Sequence, residues 1–381
     1  LKPKNFFIVT LFFLFAFVNI NYTAKAQEEN DSEIYFFSLL LEKSILNGDS
    51  VTISKMFDKE KFMDRIISND SLKLLYSVDS STFYSFYESI NFPQRIVDQT
   101  FNIGSYNLLR SYEINGETHI LFRFFNEGEI NYHDYLLDFS NNEYKIIDLY
   151  VYFTGEYFSQ TIYNIIAEAI YEQSGLESNN LINKNNILSI KVLQNLVQTQ
   201  KFELADKQLK SIPESLQTTK QLMLYKVLIS QNISENDFSN TIAEYKKLFH
   251  DDPSVFLLSM EGYLFQKRYK DALQSIDSLD YKIGGDDFLD YFRANIYFLT
   301  DDFENAEKNL SSLIVNFPDF FQPYQNLFIL YVRHNKYSQA VSILENIQMK
   351  FNLEKANLII EIANDFPEFS ESPEFEDWKS F

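Results

Sequence analysis

The chain has 381 residues, 54 of them acidic against 33 basic, for a formal net charge of −21. Such a surface repels phosphate backbones and anionic lipid heads, which excludes nucleic acid as a natural partner and otherwise serves solubility. There is no cysteine, so disulfides, thiolate metal sites and a cysteine nucleophile are excluded, while 45% hydrophobic residues suffice for two or three domains.

The first 26 residues read as an export signal. Lys2 and Lys4 make a basic start, Phe6–Val18 is an apolar run, and Ala24-Lys25-Ala26 is an A-x-A cleavage site before Gln27. The run falls short of the ~20 residues that span a bilayer. Cleavage and release to the periplasm or the exterior is therefore expected, with tethering by an uncleaved segment as the alternative. No later apolar run is long enough to cross a membrane.

Residues 27–175 read as an α+β module. Helical patterns occupy the first part, from Ile34 to Leu41 and around Phe83–Val97. Then Gly104, Gly116 and Gly128 punctuate the chain, and Asn115-Gly116 between two alternating apolar runs is a strong hairpin signal. Strands near 105–114, 118–126, 130–139 and 143–153 would form a four-stranded antiparallel meander with one face on helices. Thr154 is a candidate N-cap for a helix over 155–173, with Glu156 in its first turn. The asparagine-rich stretch 176–185 reads as a linker.

Chemistry in this module would draw on a few polar side chains of the sheet. His133 and Asp134 are sequence neighbours and so point to opposite faces of a strand. If adjacent strand faces meet, His119, Arg123, His133, Asp148 and Tyr150 would line one pocket for a small ligand or a reaction. The competing reading is a set of satisfied polar groups at a sheet. Asp148, among Ile146, Ile147, Leu149 and Val151, requires a partner in either case. There is no glycine-rich phosphate loop, no G-x-S-x-G and no histidine pair at helical spacing, so no catalytic residue, metal or cofactor is expected.

The C-terminal half is periodic. Tyr263, Tyr297 and Tyr331 stand 34 residues apart, as do Tyr269, Phe303 and Tyr337, and Ala272, Ala306 and Ala340. Looser copies begin at Phe202 with Ala205 and at Phe238 with Thr241. A 34-residue period belongs to a helix–turn–helix unit that buries its apolar face only by stacking on its neighbours. The alanine lets two helices approach, and the aromatic before it fills the space beside the turn. His250 and His334 fall at helix ends, where a cation suits the dipole. Over 186–350 this pattern resembles the tetratricopeptide repeat family as five units, an α-solenoid in a mainly α chain. The family's early tryptophan is absent. The segment 351–381, with Trp378, would seal the last unit or serve as a docking tail.

What the resemblance implies is a partner-binding groove lined by the first helix of each pair. In that register Leu257, Glu261, Phe265, Phe288, Tyr291, Asn295, Gln325, Ile329 and Arg333 face inward, with Phe288 and Tyr291 as anchors for an extended or helical peptide. The carboxylate clamp of the family's chaperone-binding members is not implied, because Leu257, Tyr291 and Gln325 occupy the matching positions. The N-terminal module loosely resembles cystatin-like and nuclear-transport-factor-like α+β cones. With the run from Tyr132 to Glu156, the combination is similar to exported proteins of the Bacteroidetes. The expectation is a non-enzymatic scaffold of the bacterial envelope with protein or peptide partners. A purely structural spacer is a further alternative.

Overall fold

Turns with left-handed backbone set the register of the N-terminal sheet. The computed structural model describes residues 32–67, 91–100, 104–126, 128–163, 184–250 and 252–380. In it β1 (Gly104–Ile114), β2 (Glu117–Asn126), β3 (Glu129–Ser140) and β4 (Glu143–Val151) form an antiparallel meander in chain order. Asn115 and Gly116 at φ 54° and 81°, and Asn141 and Asn142 at 55° and 59°, make two-residue turns whose twist matches that of the strands they join. A short fifth strand, β5 (Glu156–Tyr157), pairs with the end of β4.

That fifth strand corrects the expectation of a helix from residue 155. Gly155 has φ 64°, outside the helical region, and its N–H donates to Val151 O at 2.8 Å to close a tight turn. The Thr154 hydroxyl donates back to Val151 O at 3.2 Å instead of capping a helix. Helix begins only at residue 158 and is described to residue 163. The leader 1–26, the first part of the 83–97 stretch and nearly all of the 176–185 linker lie outside the described residues.

Among the described residues four helices precede the sheet: α1 (Ser32–Leu46), α2 (Ser50–Met56), α3 (Lys59–Ile67) and α4 (Phe92–Thr100). Asp49 caps α2 by accepting from Thr52 N at 2.9 Å. Ile34, Leu41 and Ile45 of α1, Ile53 of α2, and Ile96 and Val97 of α4 share one core with Tyr106, Leu108, Ile120, Phe122, Tyr135, Leu137, Ile146 and Leu149. The alternation of the strands thus assigns one sheet face to the helices. The opposite face carries His119, Leu121 and Arg123 of β2 and Tyr132, Asp134 and Leu136 of β3.

Among the described residues, five helix pairs follow. They are α5 (Lys184–Gln198) with α6 (Phe202–Ser211), α7 (Lys220–Ile233) with α8 (Glu235–Leu248), α9 (Ser254–Phe265) with α10 (Tyr269–Ile283), α11 (Asp290–Leu299) with α12 (Phe303–Asn316), and α13 (Phe321–Arg333) with α14 (Tyr337–Lys350). Four of the links between partners repeat one geometry. Gln200, Lys267, Asp301 and Asn335 sit at φ 54–59°. The next residue's N–H returns to the carbonyl five positions back: Arg268 to Tyr263 at 2.8 Å, Asp302 to Tyr297 and Lys336 to Tyr331 at 2.9 Å. This is the Schellman helix stop, and it explains the spacing. The periodic tyrosines carry the carbonyl that accepts the stop bond, and the periodic aromatics open the next helix. Ala205, Ala272, Ala306 and Ala340 have no exposed surface, as close helix approach requires. The fold is therefore mainly α: helices and an antiparallel sheet, then a solenoid-like helix array.

By contact density the chain divides into two compact units, one ending at Gly262 and one running from Tyr263 to Phe381. The sheet and the first two helix pairs lie in the former. In the latter, α15 (Lys355–Asp365) and α16 (Pro373–Ser380) follow the last pair, and α16 packs on α14. Phe369, Phe375 and Trp378 are buried there, with the Lys355 ammonium 4.6 Å from the indole centre.

Candidate functional site

Asp148 has the partner its surroundings demand. It is fully buried and accepts from Arg65 Nε of α3 at 2.7 Å, from Ser159 Oγ at 2.6 Å and Ser159 N at 3.1 Å, and from Leu149 N at 2.9 Å. Four donors saturate a carboxylate, so Asp148 is a structural pin holding Arg65 and residue 159 against β4. Strand register places Asp148 and Tyr150 of β4 on the same face as His119 and Arg123, whereas His133 pairs with Phe122 on the helix-covered face.

Each of these side chains has its own local environment. His119 Nδ1 lies 3.2 Å from Asp134 Oδ1, its ring stacks on Tyr112 at 5.0 Å, and the Tyr112 hydroxyl donates to Asp134. His119 Nε2 is buried without a hydrogen bond among the described residues. Arg123 donates to Asn107 Oδ1 at 3.0 Å. His133 Nδ1 is 3.0 Å from the Tyr106 hydroxyl, and burial pushes its pKa down to about 4, so it is neutral at physiological pH. The sheet thus brings His119, Arg123, Asp148 and Tyr150 to one face, and of these Tyr150 alone lines a described cavity.

That cavity is a cleft of about 410 Å³ beside the β4–β5 turn, walled by Arg65, Tyr150, Glu156, Tyr157, Ser159 and Gln160. The Tyr150 and Tyr157 rings meet edge to face at 5.3 Å, and the Arg65 guanidinium lies 5.0 Å over Tyr157. The turn at its rim is fixed from outside the sheet. Tyr150 donates to Asp252 Oδ2 at 2.7 Å, and the Lys220 ammonium of α7 contacts both Asp252 and the Gly155 carbonyl. A Cβ on Gly155 would come within 2.6 Å of Lys220 Cε and Ser254 Oγ, so glycine alone permits this approach. Burial, opposed by the nearby Lys220 charge, holds the Glu156 carboxyl above its ordinary pKa. Arg65, Tyr157 and Ser159 were not legible as site residues, because only long-range folding brings α3 to β4.

On the helix array, the residues expected to face inward separate into three tiers. Leu257, Phe288 and Tyr291 are buried. Phe288 stacks on Phe320 at 5.2 Å and meets Phe317 edge to face at 5.3 Å, and Tyr291 meets Phe320 at 5.0 Å. These two side chains pack between successive helix pairs and offer no anchor face, which corrects their expected role. The cause is a 3-10 turn at Asp287–Leu289, capped by Asp286 accepting from Phe288 N at 3.0 Å, which rolls Phe288 into the array.

Glu261, Asn295, Gln325 and Ile329 are half-buried. Asn295 accepts from Asn326 Nδ2 at 2.9 Å. Burial and the neighbouring Glu129 carboxylate push Glu261 up to about 7. Gln325 and Ile329 line an apolar cleft with Phe321, Phe328, Leu358 and Glu361 that has room for about 20 Å³, one water. The third tier is open: Phe265 is 51% exposed, Leu299 52%, and the Arg333 side chain 48%. These three positions are again 34 residues apart, so Leu299 was implied by the same register that gave its two equivalents. A separate row on the second helices, Tyr281, Val315 and Met349, is exposed by 85%, 76% and 73%.

Comparison with known proteins is sparse. No family model matches the sequence, and no curated protein does. Among solved structures, the crystal structure of PilW, a widely conserved type IV pilus biogenesis factor, aligns with 51% of this chain and 99% of its own, at 11% identity and a TM-score of 0.35.

Proposed function

We propose that the protein is a non-enzymatic scaffold of the bacterial envelope, built on tetratricopeptide-like repeats, that binds a protein or peptide along the first helices of its array. The observation that carries this is the row Phe265, Leu299 and Arg333, half-exposed at one repeat-equivalent position. Two large apolar side chains and an arginine left open at a fixed repeat interval offer evenly spaced contacts to an extended or helical peptide. Asn295, Gln325 and Ile329, half-buried, stand four or eight residues before Leu299 and Arg333 on the same helices, a spacing that extends the row along those helices. The second-helix row differs in this respect. Tyr281, Val315 and Met349 stand among Asp277, Lys282, Asn316, Glu345 and Lys350, and isolated exposed apolar residues are ordinary on protein surfaces.

Affinity capture from envelope extract with the full chain tests the reading. One reproducible protein retained by the wild type and lost with Phe265→Ala/Leu299→Ala supports it. Equal capture by both, with the variant folded, contradicts it.

A further inference from the structure

We propose that the cleft beside the β4–β5 turn is a binding site for a neutral saccharide unit, separate in location and ligand from the peptide surface of the array. Its volume of about 410 Å³ falls in the range of small-ligand sites. Its walls are fixed from two sides before any ligand arrives. Asp148, with no exposed surface, holds Arg65 and Ser159 below. Lys220 and Asp252 hold Gly155 and Tyr150 at the rim. Pre-set walls spare a ligand the ordering cost that makes loose clefts weak binders.

The charge pattern selects the ligand class. An anion finds the Arg65 charge already balanced by Asp148 at 2.7 Å and meets the Glu156 carboxylate on the wall. A cation finds one face of each tyrosine ring already holding the cation it would take, with Arg65 5.0 Å over Tyr157 and Lys220 5.8 Å over Tyr150. What remains is a neutral molecule with apolar C–H patches for two aromatic rings and hydroxyls for planar polar groups. Arg65, Glu156 and Gln160 supply those groups at the wall. The Tyr157 hydroxyl makes no hydrogen bond among the described residues, which leaves it for a ligand. A sugar ring combines both kinds of surface.

Saturation-transfer NMR and calorimetry on the full chain test this, with glucose, galactose and N-acetylglucosamine as probes, glucuronate as the anionic control and choline as the cationic one. At least one neutral sugar is expected to bind in the millimolar range or tighter. Tyr157→Ala is expected to weaken it about tenfold, and Tyr157→Phe, which keeps the ring, less. Leu299→Ala in the array leaves sugar binding unchanged. No binding of any neutral sugar, equal or better binding of glucuronate or choline, or undiminished binding in a folded Tyr157→Ala variant would each overturn the assignment.

Discussion

Asp148 and Glu261 show how far a single carboxylate can be read without the fold. An acid in an apolar strand demands compensation, and that demand was visible in the run from Ile146 to Val151. Its answer, Arg65, stands 83 residues earlier on α3, and no local pattern announces it. Glu261 is the opposite case, an acid whose surroundings oppose its charge. Burial and Glu129 lift its pKa from 4.5 to about 7, so the native state keeps a proton that the unfolded chain releases. The native form therefore loses stability as pH rises from 4.5 to about 7, and the penalty is constant above that. Glu261→Gln is expected to match the wild type near pH 4 and to exceed it by about 1–2 kcal/mol at pH 8, after allowance for partial solvent screening. Urea unfolding at the two pH values measures this; equal stabilities at pH 8 would show that Glu261 ionises freely.

At the scale of elements, most of the fold was legible because local chemistry and period agreed. Asn115-Gly116 sets one hairpin, and the 34-residue period of a helix–turn–helix unit follows from a recurring helix stop. The errors fall where tertiary contact overrides local pattern. Gly155 is drawn against Lys220, so a turn and a short strand replace the first turn of a helix. The 3-10 turn before α11 carries Phe288 out of the groove register and into packing. One glycine of the array has no signal in the period at all. A Cβ on Gly262 of α9 would lie 1.6 Å from Phe238 Cζ of α8. Gly262→Ala would gain helix propensity worth about 1 kcal/mol but must displace a fully buried ring. A net loss of about 1–3 kcal/mol is expected, because overpacking outweighs propensity. A melting temperature equal to or above that of the wild type would mean that α8 and α9 separate at little cost.

At the scale of the molecule, composition pointed to several domains, and the sequence divided them at the asparagine-rich stretch. The compact units divide elsewhere, with the sheet and the first helix pairs in one unit joined through Tyr150, Gly155, Lys220 and Asp252. That joint uses residues far apart in the chain and no repeated motif, so nothing in the sequence marks it. The helix row proposed to bind a partner was partly legible, since Phe265 and Arg333 follow from the register and Leu299 is their equivalent. What the register did not reveal was exposure, which separates the open tier from the buried one. Photocrosslinking in envelope extract decides between surfaces most directly, with a photoreactive residue placed singly at Leu299 and at Val315. A discrete adduct is expected from position 299 and none from 315. Adducts from 315 alone, or from neither position, would contradict it.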